Sequence, residues 1–232
     1  MPKKLIKVLG AERSGTNYVS WLVIRNLKLE TTFEASSWSK KDESRLENDI
    51  NQSNAQNIHI HPSMEVPHWK HDPPTHDSLF GLPLTYLAVI KNPYSWYFSY
   101  KKYAGTHERA PDCSIPASIK RWNDLNISYI KYKQENDNLH LARYEDFSKS
   151  PQEQVGIFAE KYGFNFEKDN FQEVNFKAGP GLGIEMVSSN DEFDKVDPFK
   201  LYHDKLSSGE IKEINSFLDF SIFEELHYEK LV

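Results

Sequence analysis

The chain has 232 residues, a formal net charge of −6 and a pI near 5.9. That length supports one α/β domain over residues 1–232, and an acidic balance without a basic block argues against a nucleic-acid partner. The single cysteine, Cys113, excludes an internal disulfide framework and a cysteine-rich zinc site. No apolar stretch approaches membrane-spanning length, and the opening Met1-Pro2-Lys3-Lys4 has no signal-peptide apolar region, so a cytosolic protein with no integral membrane segment is expected.

The apolar run at residues 5–9 predicts a short buried strand ending at Gly10, and Gly15 opens a run with helical spacing through Tyr18 and Leu22. Between them lies Ala11-Glu12-Arg13-Ser14. A strand, a glycine-bounded loop and a helix start form an anion cradle, because first-turn amides lack intrahelical partners and the helix dipole favours negative charge there. The Gly10-x4-Gly15 frame has the spacing of a nucleoside-triphosphate P-loop, but Thr16 and Asn17 stand where that loop needs Lys and Ser/Thr. Arg13 is the cation of the loop. Amides, two hydroxyls and one guanidinium suit a single phosphate-like group without a metal.

Residues 29–57 are polar and weakly periodic and read as a variable insertion, partly helical over 41–50. A second short strand is expected at 57–61, followed by a long loop at 62–83 rich in proline and histidine. Residues 84–90 form the clearest buried strand, punctuated by Lys91-Asn92-Pro93, with helices over 94–104 and 117–134. A strand at 139–143 follows. Ser150-Pro151-x-Glu153 reads as a capping box opening a helix to Tyr162, and Ser207-x-x-Glu210 as a second one opening a helix through Leu218. Residues 166–198 read as loop, with Gly179, Gly181 and Gly183 close together. Strands alternating with helices imply an α/β fold, with a mostly parallel central sheet covered on both faces in three layers.

Three segments in this order, Arg13-Ser-Gly-Thr16, Lys91-Asn-Pro93 with Ser99, and Arg143-Tyr-Glu-Asp146, resemble the sulfotransferase superfamily that uses PAPS (3′-phosphoadenosine-5′-phosphosulfate). The resemblance covers roughly residues 5–165 and implies the P-loop-like topology of that family. It implies that Arg13, Ser14, Gly15, Thr16 and Asn17 hold the 5′-phosphosulfate and that Tyr18 and Tyr144 contact the adenine. Lys91 and Ser99 fall where the family has an Arg and a Ser on the 3′-phosphate. Lysine in place of arginine loses the bidentate fork. Trp69-Lys70-His71 resembles the segment that supplies a second cation and a general base, which gives Lys70 and His71 those roles and leaves Glu65 as the fallback base. Lys177, near the three glycines, falls where the family has a late basic segment over the 3′-phosphate.

The implied reaction moves a sulfuryl group from PAPS to a hydroxyl or amine of a small-molecule or carbohydrate acceptor, leaving adenosine 3′,5′-bisphosphate (PAP), with Arg13, Lys70 and His71 as the catalytic set and no metal. Three other readings stay open. The frame suits a P-loop-like nucleotide kinase or phosphotransferase, or a binding module that has lost turnover. His59-x-His61, His68-x-x-His71 and His76, with Asp72 and Asp77 nearby, are zinc-ligand types at no standard spacing.

Overall fold

The computed structural model describes residues 3–32, 42–61, 65–66, 71–105, 112–174, 176–178, 184–186 and 205–232. Five strands run parallel in one sheet: β1 (Lys4–Leu9), β2 (Glu30–Thr31), β3 (Asn57–His59), β5 (Leu82–Ile90) and β6 (Leu139–Arg143). Their spatial order is β2-β3-β1-β5-β6, and β4 (Ser78–Leu79) pairs antiparallel with the start of β5. The chain leaves β1 toward β3 on one side and returns to β5 on the other. The boundary between β1 and β5 is therefore the point where the strand order reverses, and open α/β sheets bind ligands at the carboxyl ends of the strands there.

Side chains alternate across the sheet with period two. Ile6 and Val8 of β1, with Leu87 and Val89 of β5, pack against α1 (Thr16–Asn26), α5 (Tyr144–Lys149) and α6 (Pro151–Tyr162). Leu5, Leu9, Leu84, Tyr86, Ala88 and Ile90 face the opposite layer. That layer contains α2 (Glu43–Gln52), α3 (Pro93–Ala104), α4 (Ile115–Glu135), α7 (Ser208–Phe217) and α8 (Phe220–Leu226). Both faces of the central strands are thus covered, which is why β5 reads as a nearly continuous apolar run. The architecture is the expected three-layer α/β arrangement.

Several local expectations change. Residues 29–57 carry the edge strand β2 and the helix α2, whose Leu46 and Ile50 enter the core, so this segment builds the fold as well as lengthening it. Ser207 and Glu210 form their reciprocal capping box. Ser150 makes no side-chain cap for α6. Ser150 already closes α5, its amide donating to Asp146 O, and its backbone at φ −138°, ψ 61° serves both helices at once. Within the long loop, Phe80 (φ 52°) and Gly81 (φ 73°) are both left-handed, as a two-residue primed hairpin turn between β4 and β5 requires. Part of the segment read as loop at 166–198 is a hairpin of β7 (Phe176–Ala178) on β8 (Ile184–Met186), while Gly179, Gly181 and Gly183 lie outside the described residues. Among the described residues no helix is long and apolar enough to cross a membrane.

Lys7 is fully buried on the face shared by Leu5 and Leu9. Its ammonium donates to Val66 O at 2.9 Å. Burial draws its pKa down from 10.5 to about 7 against the opposing pull of Asp72 and Glu65. In the unfolded chain this lysine keeps its proton up to the ordinary lysine range. Between those values the unfolded state binds more protons than the folded one, so stability rises with pH across the window from about 7 to 10. Urea denaturation at pH 7 to 9.5 should show wild type gaining on Lys7→Met by at most about 1.4 kcal/mol per pH unit. Parallel curves for the two proteins would mean that Lys7 titrates normally.

Candidate functional site

Three segments meet at the carboxyl ends of adjacent strands. Residues 10–15 follow β1. Lys91 follows β5 and Tyr144 follows β6, directly after the paired residues Ile90 and Arg143. Parallel register alone therefore sets these three junctions side by side.

The loop after β1 closes tightly. Ser14 N–H donates to Ala11 O at 3.1 Å. A Cβ on Gly10 would stand 2.5 Å from Ser14 Oγ and from Val89 O and 2.8 Å from the Thr16 methyl, so this position must be glycine. Arg13, exposed, adopts a left-handed backbone at φ 68°, a conformation that a non-glycine residue keeps only where its surroundings hold it. Its guanidinium lies 5.6 Å from the centre of the Tyr103 ring. Gly15 is the N-cap of α1 with φ 91° and supplies no side-chain acceptor to the first turn, which also holds no acidic residue. Among the described residues, Ser14 Oγ is buried without a hydrogen-bond partner. A buried hydroxyl donor, an uncapped helix start and a guanidinium together match an anion.

The second cluster lies beside the first. Lys91 Nζ is 3.5 Å from Ser99 Oγ and 4.9 Å from the centre of the Tyr144 ring. Burial draws the Lys91 pKa from 10.5 down to about 8, with the Arg13 charge pushing the same way and the Glu145 carboxylate opposing. The Arg13 charge thus reaches both the Lys91 ammonium and the Tyr144 phenol. Tyr144 packs against Gly15, where an added Cβ would lie 2.2 Å from its Cδ2 and 2.3 Å from its Cε2. The Tyr18 ring stands edge-on to Tyr144 at 6.2 Å. Burial pushes both phenols above their ordinary pKa. The structure thus brings Arg13, Ser14, Gly15, Thr16, Tyr18, Lys91, Ser99 and Tyr144 into one region. Asn17 lies exposed in the first turn of α1.

His71 approaches from the long loop. Its Nδ1 is within hydrogen-bond distance of Gly10 O. A carbonyl oxygen only accepts, so Nδ1 carries the hydrogen and Nε2 is the basic nitrogen of the neutral ring. Lys70 and Trp69 lie outside the described residues, as do His68 and the side chain of Lys177. The Glu65 charge acts on the buried Lys7. His59 is buried, and burial first, then the charges of His61 and Lys7, draw its pKa down to about 3, so it is a neutral core histidine. Among the described residues no group of three or more His, Cys, Asp or Glu is placed to hold a metal ion.

Residues that local patterns did not mark hold this site in shape. Trp96 Nε1 donates to Glu12 O at 2.7 Å. The Arg121 guanidinium pairs with the Glu12 carboxylate. Trp122 Nε1 donates to Lys91 O at 3.0 Å. Each contact spans a long sequence separation, so only the alternating apolar spacing of α3 and α4 hinted at inward tryptophans. Gly15→Ala should cost about 3 kcal/mol or more in urea denaturation, from the left-handed backbone and the overlap with Tyr144. The same substitution should cost clearly less in a Tyr144→Ala background, and equal costs in both would show that the ring does not press on Gly15.

No family model matches the sequence, and no curated protein matches it. Solved structures do. The sulfotransferase domain from the curacin biosynthetic pathway aligns with 100% of this chain and 99% of its own at a TM-score of 0.52 and 13% identity. The sulfotransferase from Alicyclobacillus acidocaldarius covers 97% of this chain and 99% of its own, with a TM-score of 0.48 and 11% identity. Mouse sulfotransferase SULT7A1, complexed with PAP, covers 72% of this chain and 60% of its own, with a TM-score of 0.46 and 15% identity. The first alignment, end to end in both chains, carries the assignment: this chain has the fold of the sulfotransferase superfamily.

Proposed function

We propose that the protein is a PAPS-dependent sulfotransferase acting on a hydroxyl or amine of a small-molecule or carbohydrate acceptor. What supports this reading is that two cations from separate strand ends, Arg13 and Lys91, act on each other's charge, while Lys91 Nζ stands 4.9 Å from the centre of the Tyr144 ring. Gathering like charges is costly unless an anion joins them. Two anionic groups on one adenylate match two cationic subsites separated by a ring.

In this reading the 5′-phosphosulfate rests on Arg13, Ser14, Thr16, Asn17 and the amides opening α1, where the uncapped helix start complements negative charge. Lys91 and Ser99 take the 3′-phosphate, and Tyr144 with Tyr18 lines the adenine position. The donor supplies an activated sulfuryl group and a stable bisphosphate leaving group. The chain supplies position, proton removal and charge. His71 accepts the acceptor's proton at Nε2, with its ring oriented by the hydrogen bond from Nδ1 to Gly10 O. Arg13 and the loop amides, with Lys70 as a further cation, stabilise the charge that develops on the leaving phosphate. No step calls for a metal. Thr16-Asn17 lacks the Lys and Mg²⁺-binding hydroxyl of a nucleotide kinase. The proposal keeps the protein as one domain in the cytosol, and its net charge of −6 disfavours polyanionic partners such as nucleic acid.

PAP at 100-fold over its Kd should raise stability by about 2.7 kcal/mol, read as a thermal shift, while ATP with Mg²⁺ at equal concentration should shift it less. A larger shift with ATP and Mg²⁺ would favour a phosphotransferase. Once an acceptor is found, His71→Ala should lower kcat by roughly 10²–10⁴ and leave PAP affinity nearly unchanged. Wild-type turnover in that variant would remove His71 from the role.

A further inference from the structure

We infer that Glu145 and Tyr228 are positioning residues for the ribose-phosphate subsite, joining the carboxyl-terminal segment to the Lys91–Asn92 junction. The inference rests on the donor assignment above and concerns neither the loop after β1 nor the transfer step.

Glu145 is 5% exposed, although it is a carboxylate beside the site. Burying a charge is costly unless its oxygens are satisfied. Both are. One oxygen accepts the Asn92 backbone N–H at 2.9 Å, and the other accepts the Tyr228 hydroxyl at 3.0 Å. The same hydroxyl is 3.1 Å from Ile90 O. The contacts therefore run from the chain's end, through one buried carboxylate, to the turn where β5 becomes α3.

This turn needs an external acceptor. Pro93 opens α3 and has no N–H, and the Asn92 side chain is already used, its Oδ1 accepting from Tyr94 N–H at 3.1 Å. The Asn92 amide is left pointing away from the helix, and Glu145 receives it. The Lys91–Asn92 peptide is held from its other end by Trp122 Nε1 on Lys91 O. With both ends of the peptide fixed, Lys91 and the start of α3, which carries Ser99, leave the sheet in set directions. That is the condition for their two polar ends to stand 3.5 Å apart. Glu145 is also the countercharge that opposes the loss of the Lys91 proton.

Tyr228 is delivered by a short segment that is itself clamped. His227 ends α8 in a left-handed conformation, and Arg143 Nη1 donates to Leu226 O at 3.2 Å and His227 O at 3.1 Å. The Arg143 guanidinium also pairs with Asp146 and lies 5.6 Å from the centre of the Tyr228 ring. Arg143, Glu145 and Asp146 of the Arg-Tyr-Glu-Asp run thus tie the tail to the site, while Tyr144 faces the loop.

The test compares two ligands that differ only in the ribose phosphate, PAP and AMP, by calorimetry on wild type, Glu145→Ala, Glu145→Gln and Tyr228→Phe. Glu145→Ala should weaken PAP on the order of 10–100-fold while AMP changes less than about twofold, from the strength of hydrogen bonds to charged groups. Glu145→Gln should recover most of the loss, because its amide oxygen still accepts from Asn92 N–H and its amide nitrogen donates to the Tyr228 oxygen. Tyr228→Phe, which keeps the ring and carries the test should Glu145→Ala not fold, should weaken PAP about threefold to tenfold with AMP again unchanged. Equal weakening of both ligands would show a general structural role and overturn the inference, as would wild-type affinities in Glu145→Ala and Tyr228→Phe. A wild-type chain that binds PAP no better than AMP would remove the donor assignment, and this inference with it.

Discussion

The ring of Tyr144 lies so close over Gly15 that no side chain fits between them. This contact joins the end of β6 to the start of α1 across the intervening end of β5. It demands glycine at the helix entrance, and the absence of a side chain there leaves the first turn of α1 uncapped. The same ring lies under Lys91 Nζ and makes a T-shaped contact with Tyr18. One aromatic side chain thus packs against the loop's end at Gly15 and neighbours Lys91.

Charge is distributed around that ring in a consistent way. Glu12, next to Arg13, pairs with Arg121 of α4, and Glu145, next to Tyr144, opposes loss of the Lys91 proton. These acids anchor the loop and the β5–α3 junction to the scaffold. Under the proposed function, an anion joining Arg13 and Lys91 would offset the like charge that helps to lower the Lys91 pKa. His71 takes a backbone carbonyl of the loop, Gly10 O, as a partner. That contact orients the imidazole ring.

The chemistry-bearing loops differ from the sheet in how they are held. The central strands are secured by apolar burial on both faces, which is additive and tolerant of exchange. The loop after β1 is secured by directional contacts, from Trp96, Arg121 and His71, each aimed at one named oxygen of Gly10 or Glu12. Such directional contacts restrict the loop's geometry more narrowly than apolar burial does.

What the sequence determined alone is whatever depends on neighbours within about one turn or one strand. The apolar run before Gly10, the glycine pair with its lone Arg13, Pro93 at a helix start, the strand at 139–143 and the box at Ser207 are local signals, and each has its structural counterpart. Two-residue strands such as β2 and β4 carry no period to detect, and the box pattern at Ser150 failed because that residue already closes the preceding helix. Only the tertiary structure decided the pairings of Tyr144 with Gly15, Glu12 with Arg121, and Glu145 with Tyr228. Those contacts join positions scores of residues apart. They arise from the parallel register of β1, β5 and β6 and the seating of the helices on the sheet, which no spacing within a single segment encodes.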